Sequence, residues 1–155
     1  MVSAAILFAN QALASDNSYL LPIASTIVGG SKVEAWRLSC SDTLGPIVRN
    51  TVERVIGPAV EVDSTSCVRL RALLEAAAQD TSDCIEYRCS WCAAYRLVLH
   101  DAEPPIQASI SQGCIGWRFS RAGTPLGRAG SCLYVPESLI QPLKDFIAKV
   151  FGPEK

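Results

Sequence analysis

Residues 84–100 read CIEYRCSWCAAYRLVLH, and the period of this stretch decides the fold. Ile85, Tyr87, Cys89, Trp91, Ala93, Tyr95, Leu97 and Leu99 are apolar and all occupy odd positions, whereas Glu86, Arg88, Ser90, Arg96 and His100 stand at even ones. Successive side chains of a strand point to opposite faces, so the alternation predicts one long strand with a buried face over residues 84–100. DAEPP at 101–105 is a turn sequence, and a second long strand is expected over residues 106–120. Its apolar phase is even at Ile106, Ala108 and Ile110 and odd at Ile115, Trp117 and Phe119. One extra residue in a strand shifts the phase in this way, so a β-bulge is expected at Gly113. The glycine-rich RAGTPLGRAG of 121–130 then turns the chain into a short returning strand at 131–135.

Outward from these strands the period lengthens. Leu44, Ile47, Val48, Val52, Val55 and Ile56 fall at helical spacing and predict a helix over 43–56, capped by Ser41 or Asp42 and stopped by Gly57-Pro58. Leu70, Leu73, Leu74 and Ala77 predict a second helix over 66–78, with N-caps on offer at Ser64, Thr65 and Ser66. Leu139, Leu143, Phe146, Ile147 and Val150 predict a last helix over 138–151, which tolerates Pro142 in its first turn and ends at Gly152-Pro153. Before the first of these, the β-branched run 21–28 and the strand-like 32–40 flank Gly29-Gly30, a hairpin signal. Residues 2–14 are apolar nearly all round and suit a buried helix.

The expected fold is a single α+β domain over residues 1–155. About five antiparallel strands are flanked by helices, in the order α-β-β-α-α-β-β-β-α. That order resembles the roadblock family and the wider profilin-like arrangement, in which helices cover a five-stranded antiparallel sheet. The resemblance spans the chain and rests on element order alone, without a signature motif, so it implies architecture and carries no activity with it.

Composition bounds the function. The 155 residues hold 14 Lys+Arg against 15 Asp+Glu, a net charge of −1. No basic stripe or acidic tail stands out, which argues against a nucleic-acid partner. Hydrophobic residues reach 49% while charged ones fall to 19%, below the usual share of about 25%. With a mean hydropathy of +0.22, part of the apolar surface is expected to lie against a protein partner or a second copy. No stretch reaches the roughly 18 uninterrupted apolar residues of a membrane span. MVSAAILFANQALAS at 1–15 has the small-residue pattern Ala12-Leu13-Ala14 but no Lys or Arg before Lys32, and Asn10 and Gln11 break its apolar run. A retained helix is therefore expected, with a cleaved secretory signal as the alternative.

The cysteines offer the most tempting chemistry. Seven are spread through the expected helices and strands, and an odd, scattered set suits reduced thiols in the cytoplasm. Secretion would instead call for three bridges and one free thiol. Cys84, Cys89 and Cys92 include a C-x-x-C pair, a spacing used by zinc sites and redox dithiols. In one continuous strand, however, Cys89 and Cys92 face opposite sides, and Cys84 lies about 27 Å from Cys92 at roughly 3.3 Å per residue. Structural cysteines are the expectation, with neither metal nor cofactor.

Cys114 within QGCIG (112–116) resembles the caspase-type Q-A-C-x-G loop, and His100 is the single histidine available as its base. That family places its histidine about 50 residues upstream, whereas His100 precedes Cys114 by 14. Pairing centred near Pro104 would set His100 opposite residue 108. A cysteine hydrolase using Cys114 and His100 is thus the enzyme alternative. The glycines of 121–130 precede a strand and suit a hairpin better than a phosphate cradle. Trp36, Trp91 and Trp117 are expected in packing roles. The leading expectation is a non-enzymatic scaffold or assembly subunit.

Overall fold

The computed structural model describes residues 17–42, 51–82, 91–111, 115–127 and 134–152. In chain order these hold α1 (Leu20–Ser25), β1 (Val33–Asp42), β2 (Thr51–Glu61), α2 (Ser64–Gln79), β3 (Ala93–Leu99), β4 (Ile106–Ser111), β5 (Gly116–Arg121), β6 (Thr124–Pro125) and α3 (Glu137–Phe151). The fold is α+β, with one antiparallel sheet ordered β2-β1-β3-β4-β5-β6. It has six strands where about five were expected.

The alternating stretch sets the centre of this sheet. Ala93, Tyr95, Leu97 and Leu99 of β3 are buried and the residues between them are half-buried. Leu99 pairs with Ile106, Leu97 with Ala108 and Tyr95 with Ile110, so the apolar rows of β3 and β4 share one face. β5 extends that face, with Phe119 opposite Ala108 and Trp117 opposite Ile110. Leu20, Ile23 and Ile27 from the α1 region, Leu70, Leu73 and Leu74 of α2, and Leu143 and Phe146 of α3 close over it as one core cluster. The other face carries Glu34, Trp36, Arg96, Ser109 and Arg118 at half-buried or exposed positions.

The phase change at Gly113 has a different origin from a bulge. β4 ends at Ser111, β5 begins at Gly116, and these two residues pair with each other. Because Ile110 meets Trp117, every even residue of β4 faces an odd residue of β5, and the switch is what a hairpin requires. Gly113 lies outside the described residues, as do 84–90 of the first expected strand. The observed bulges lie elsewhere. Ala35 pairs with Val60 and Arg37 with Ile56, so Trp36 alone faces residues 57–59. Gly57, at φ 73, supplies the left-handed turn which that excess needs. A second irregularity falls between Ala93 and Tyr95 of β3.

Three further expectations are corrected. Residues 51–56, read as the end of a helix, form the first half of β2, and Gly57-Pro58 marks a bulge instead of a helix stop. The run of apolar residues there is short and β-branched, a composition on which helix and strand periods overlap. Residues 43–50 are outside the described set. Leu20–Ser25 is a helix, not a hairpin strand, because Leu20, Ile23, Ala24 and Ile27 recur at helical spacing and all four are buried. Gly29-Gly30 accordingly links a helix to β1. The returning strand at 131–135 reduces, where described, to a bridge between Tyr134 and Gly116, while β6 supplies the sixth strand. The turn into β6 holds Ala122 at φ 50 and Gly123 at φ 80, with Arg121 paired to Thr124. Two positive φ values in a two-residue loop make a type I′ hairpin, the alternative expected to the phosphate cradle. The expected helix over 2–14 lies outside the described residues.

Helix ends follow local chemistry. The N-cap of α2 is Asp63, not one of the serines after it, and its carboxylate accepts from the Ser66 amide at 2.7 Å. Pro142 lies beyond the first turn of α3, so its missing N–H leaves the Ser138 carbonyl without a helical donor. Gly152, at φ 80, terminates α3 and donates to the Ala148 carbonyl at 2.8 Å.

The bonds from Ser66 hold the Asp63 carboxyl below its ordinary value of 3.8. A depressed folded value makes the cap fully effective above that ordinary value, and its contribution fades as pH falls through the lower one. Asp63→Ala is expected to lower Tm at about pH 7 and to leave it unchanged near the acid end, where the parent cap is protonated. Paired thermal melts across pH check this, and a gap that persists in acid would count against the cap.

Candidate functional site

The most distinctive cavity lies where α3 crosses the end of β3 and β4. Packing fixes the C-terminal end of α3 there. The Phe151 ring lies 5.0 Å from that of Tyr95, and the Arg37 guanidinium sits 5.2 Å above it. Arg37 Nη2 also donates to the Phe151 carbonyl at 2.9 Å. Arg37 and Tyr95 are cross-strand partners on β1 and β3, so one pair of neighbours ties the helix end to the sheet.

Beside this clamp, α3 and the sheet border a space of about 310 Å³. Tyr95, Ile110 and Ser111 form its floor, and Ile140, Leu143 and Ile147 its roof. Ile115 closes one side from the connection between β4 and β5. Its φ of 47 is unusual for a β-branched residue and costs on the order of 1–3 kcal/mol. The Ile115 carbonyl accepts from the Val135 amide at 3.0 Å, which helps to hold that conformation. Lys144 and Ala148 are exposed residues of α3 that also line the space, so they mark its mouth. A second, more open depression of about 530 Å³ runs between α2 and α3, with Arg69 and Asp145 on its rim.

Of the residues singled out for chemistry, the described ones, Cys92 and His100, line neither space. Cys84, Cys89 and Cys114 lie outside the described residues. Cys92 is half-buried and disulfide-bonded, so it departs from the expected reduced set and is no thiolate for a metal. No group of three or more His, Cys, Asp or Glu suited to a metal occurs among the described residues. His100 Nε2 lies 2.7 Å from Glu34 Oε1, with Lys32 Nζ 3.8 Å from the same oxygen. Since Leu99 pairs with Ile106, His100 falls in the β3–β4 turn and not opposite residue 108. Ser111 and Gly116, which bracket Cys114 in the chain, stand at the other end of the ladder, where Ser111 faces Ala93. At about 3.3 Å per residue that end is roughly 23 Å from His100.

Trp117 is buried in the core, and Trp91 is half-buried beneath the Arg118 guanidinium at 4.0 Å. Cys67 is a free, fully buried thiol. Burial first, then the charges of Asp63 and Asp101, push its pKa up, so it stays protonated and inert. No helix among the described residues is long and apolar enough to cross a membrane.

Cys67 and Cys92 are expected to behave oppositely. In denaturant without reductant, an alkylating agent should label Cys67 and leave Cys92 unmodified, and reduction should then expose Cys92. In the native protein Cys67 should resist the reagent. Peptide mass mapping reads all three outcomes, and labelling of Cys92 before reduction would disprove its disulfide.

No protein-family model, curated protein or solved structure matches this chain.

Proposed function

We propose that the protein is a non-enzymatic interaction module, an assembly subunit that binds a second protein chain along the outer edge of β2. The observation that carries the reading is the exposure of that edge. β2 is the terminal strand of the sheet, and among the described strands its sole neighbour is β1. Val55 and Ile56 are 49% and 50% exposed there. They pair with Leu38 and Arg37, adjacent residues of β1, and therefore project from opposite faces. An edge strand offers a row of main-chain donors and acceptors, and apolar side chains on both faces let an added strand bury area on each side.

The strand is also well placed to receive one. Glu53 Oε2 lies 3.4 Å from Arg96 Nη2, an ion pair that ties β2 to β3 across β1. The bulge at 57–59 limits regular pairing to residues 51–56, a run long enough for an ordinary strand of about 5–6 residues. A second copy of the chain is the first partner to test. The cysteine hydrolase alternative gains no geometric support, since His100 is engaged with Glu34 at the far end of the ladder from the residues flanking Cys114. The Cys92 disulfide favours an oxidising compartment over the cytoplasm.

The test is the double substitution Val55→Lys with Ile56→Lys, which places charge on the edge while disturbing fold stability by no more than about 0.5 kcal/mol per exposed site. The parent chain is expected to run as an oligomer in multi-angle light scattering, or to co-purify with a stoichiometric partner, and the variant is expected to lose either. A monomeric parent whose co-purifying proteins are unaltered by the substitutions would overturn the reading.

A further inference from the structure

We infer that the cavity beneath α3 is a binding site for a small amphipathic carboxylate, with its apolar chain inside and its anionic head at Lys144. This site is separate from the β2 edge and does not depend on the edge pairing anything. Three observations carry it. The first is size. A space of about 310 Å³ equals roughly ten water volumes of about 30 Å³ each, at the lower end of the range of small-molecule sites. A methylene takes up a volume similar to that of a water, so the cavity accommodates a chain of roughly eight to ten carbons.

The second is the chemistry of the walls. Ile110, Ile115, Ile140, Leu143 and Ile147 make most of the wall apolar, and the hydroxyl-bearing Tyr95 and Ser111 are the exceptions on the floor. An apolar cavity of this kind is better filled by hydrocarbon than by solvent. The third is charge. Lys144 is exposed at the mouth and makes no ion pair among the described residues, whereas its neighbour Asp145 accepts a hydrogen bond from Gln141 at 2.9 Å. The last carbonyls of α3, the negative end of the helix, lie near Gly152, two turns further on. An anionic head is therefore drawn to the Lys144 side of the mouth. The chain extends beneath Ile147 toward Tyr95.

The strained Ile115 backbone fits this assignment. An isoleucine held at φ 47 forms a rigid side wall, whereas a relaxed residue there would leave that wall without its present shape.

The experiment titrates the full-length protein with straight-chain carboxylates of six to twelve carbons by calorimetry. Affinity is expected to rise roughly fourfold per added methylene, from the usual transfer free energy, and to stop rising at about eight to ten carbons. Lys144→Met is expected to weaken octanoate binding about tenfold while leaving octanol binding unchanged. Ala148→Phe, at the exposed mouth, is expected to abolish both, with circular dichroism and Tm reporting an intact fold. Absence of saturable binding to every chain length overturns the proposal. So does binding that both substitutions leave untouched, which would place the ligand on another surface. Repeating the titration with the Val55→Lys, Ile56→Lys double variant keeps the outcome independent of self-association.

Discussion

The cross-strand contact of Tyr95, Leu97 and Leu99 with Ile110, Ala108 and Ile106 is the constraint on which the rest of the molecule depends. Six apolar side chains in register create a face that water cannot be left to cover, and each remaining element is positioned by what it adds to that cover. β5 extends it with Trp117 and Phe119, β1 with Val33 and Ala35, and the helices supply the lid. A slip of one residue between β3 and β4 would turn these side chains to the solvent face. The hairpin register is therefore fixed by the core more than by the turn that joins the strands.

That dependence explains which parts of the fold were legible in the sequence. The row on β3 was readable because one face is buried and the other is not, which imprints a period of two. α2 and α3 were readable because each buries a single stripe. α1 was misread although Leu20, Ile23, Ala24 and Ile27 display a helical period, since the β-branched residues around them also suit a strand and tertiary packing made the choice. β2 was misread for the opposite reason. Much of its length is solvent-exposed, so burial writes no pattern on it, and Val52, Val55 and Ile56 mimic a helical stripe by chance of spacing.

The candidate ligand site illustrates a different limit. Six of its ten lining residues fall within 140–152, but its floor and side wall come from positions 95, 110, 111 and 115, which no local window joins to the helix. Tyr95 and Leu143 carry the periodic pattern of ordinary core residues, and no sequence pattern singles out Lys144. Tertiary packing brings them together: the Arg37–Phe151–Tyr95 clamp holds the end of α3 against the sheet beside the space they line. The expected pairing set His100 opposite residue 108, short of Cys114, and the observed register places the residues flanking Cys114 at the opposite end of the ladder from His100.

The two borders of the sheet differ in valence. One is β2, whose regular half offers a strand's worth of main-chain groups; the other, among the described residues, is β6, two residues long, with Tyr134 adding a single bridge to Gly116 of β5. An end so short presents too few groups to template another chain, and on the β2 side the bulge opposite Trp36 turns the ladder aside after Ile56. Among the described residues the β2 border thus offers the longer run of main-chain groups. Head-to-tail propagation into fibres needs two competent ends, and the two described borders are unequal in what they offer.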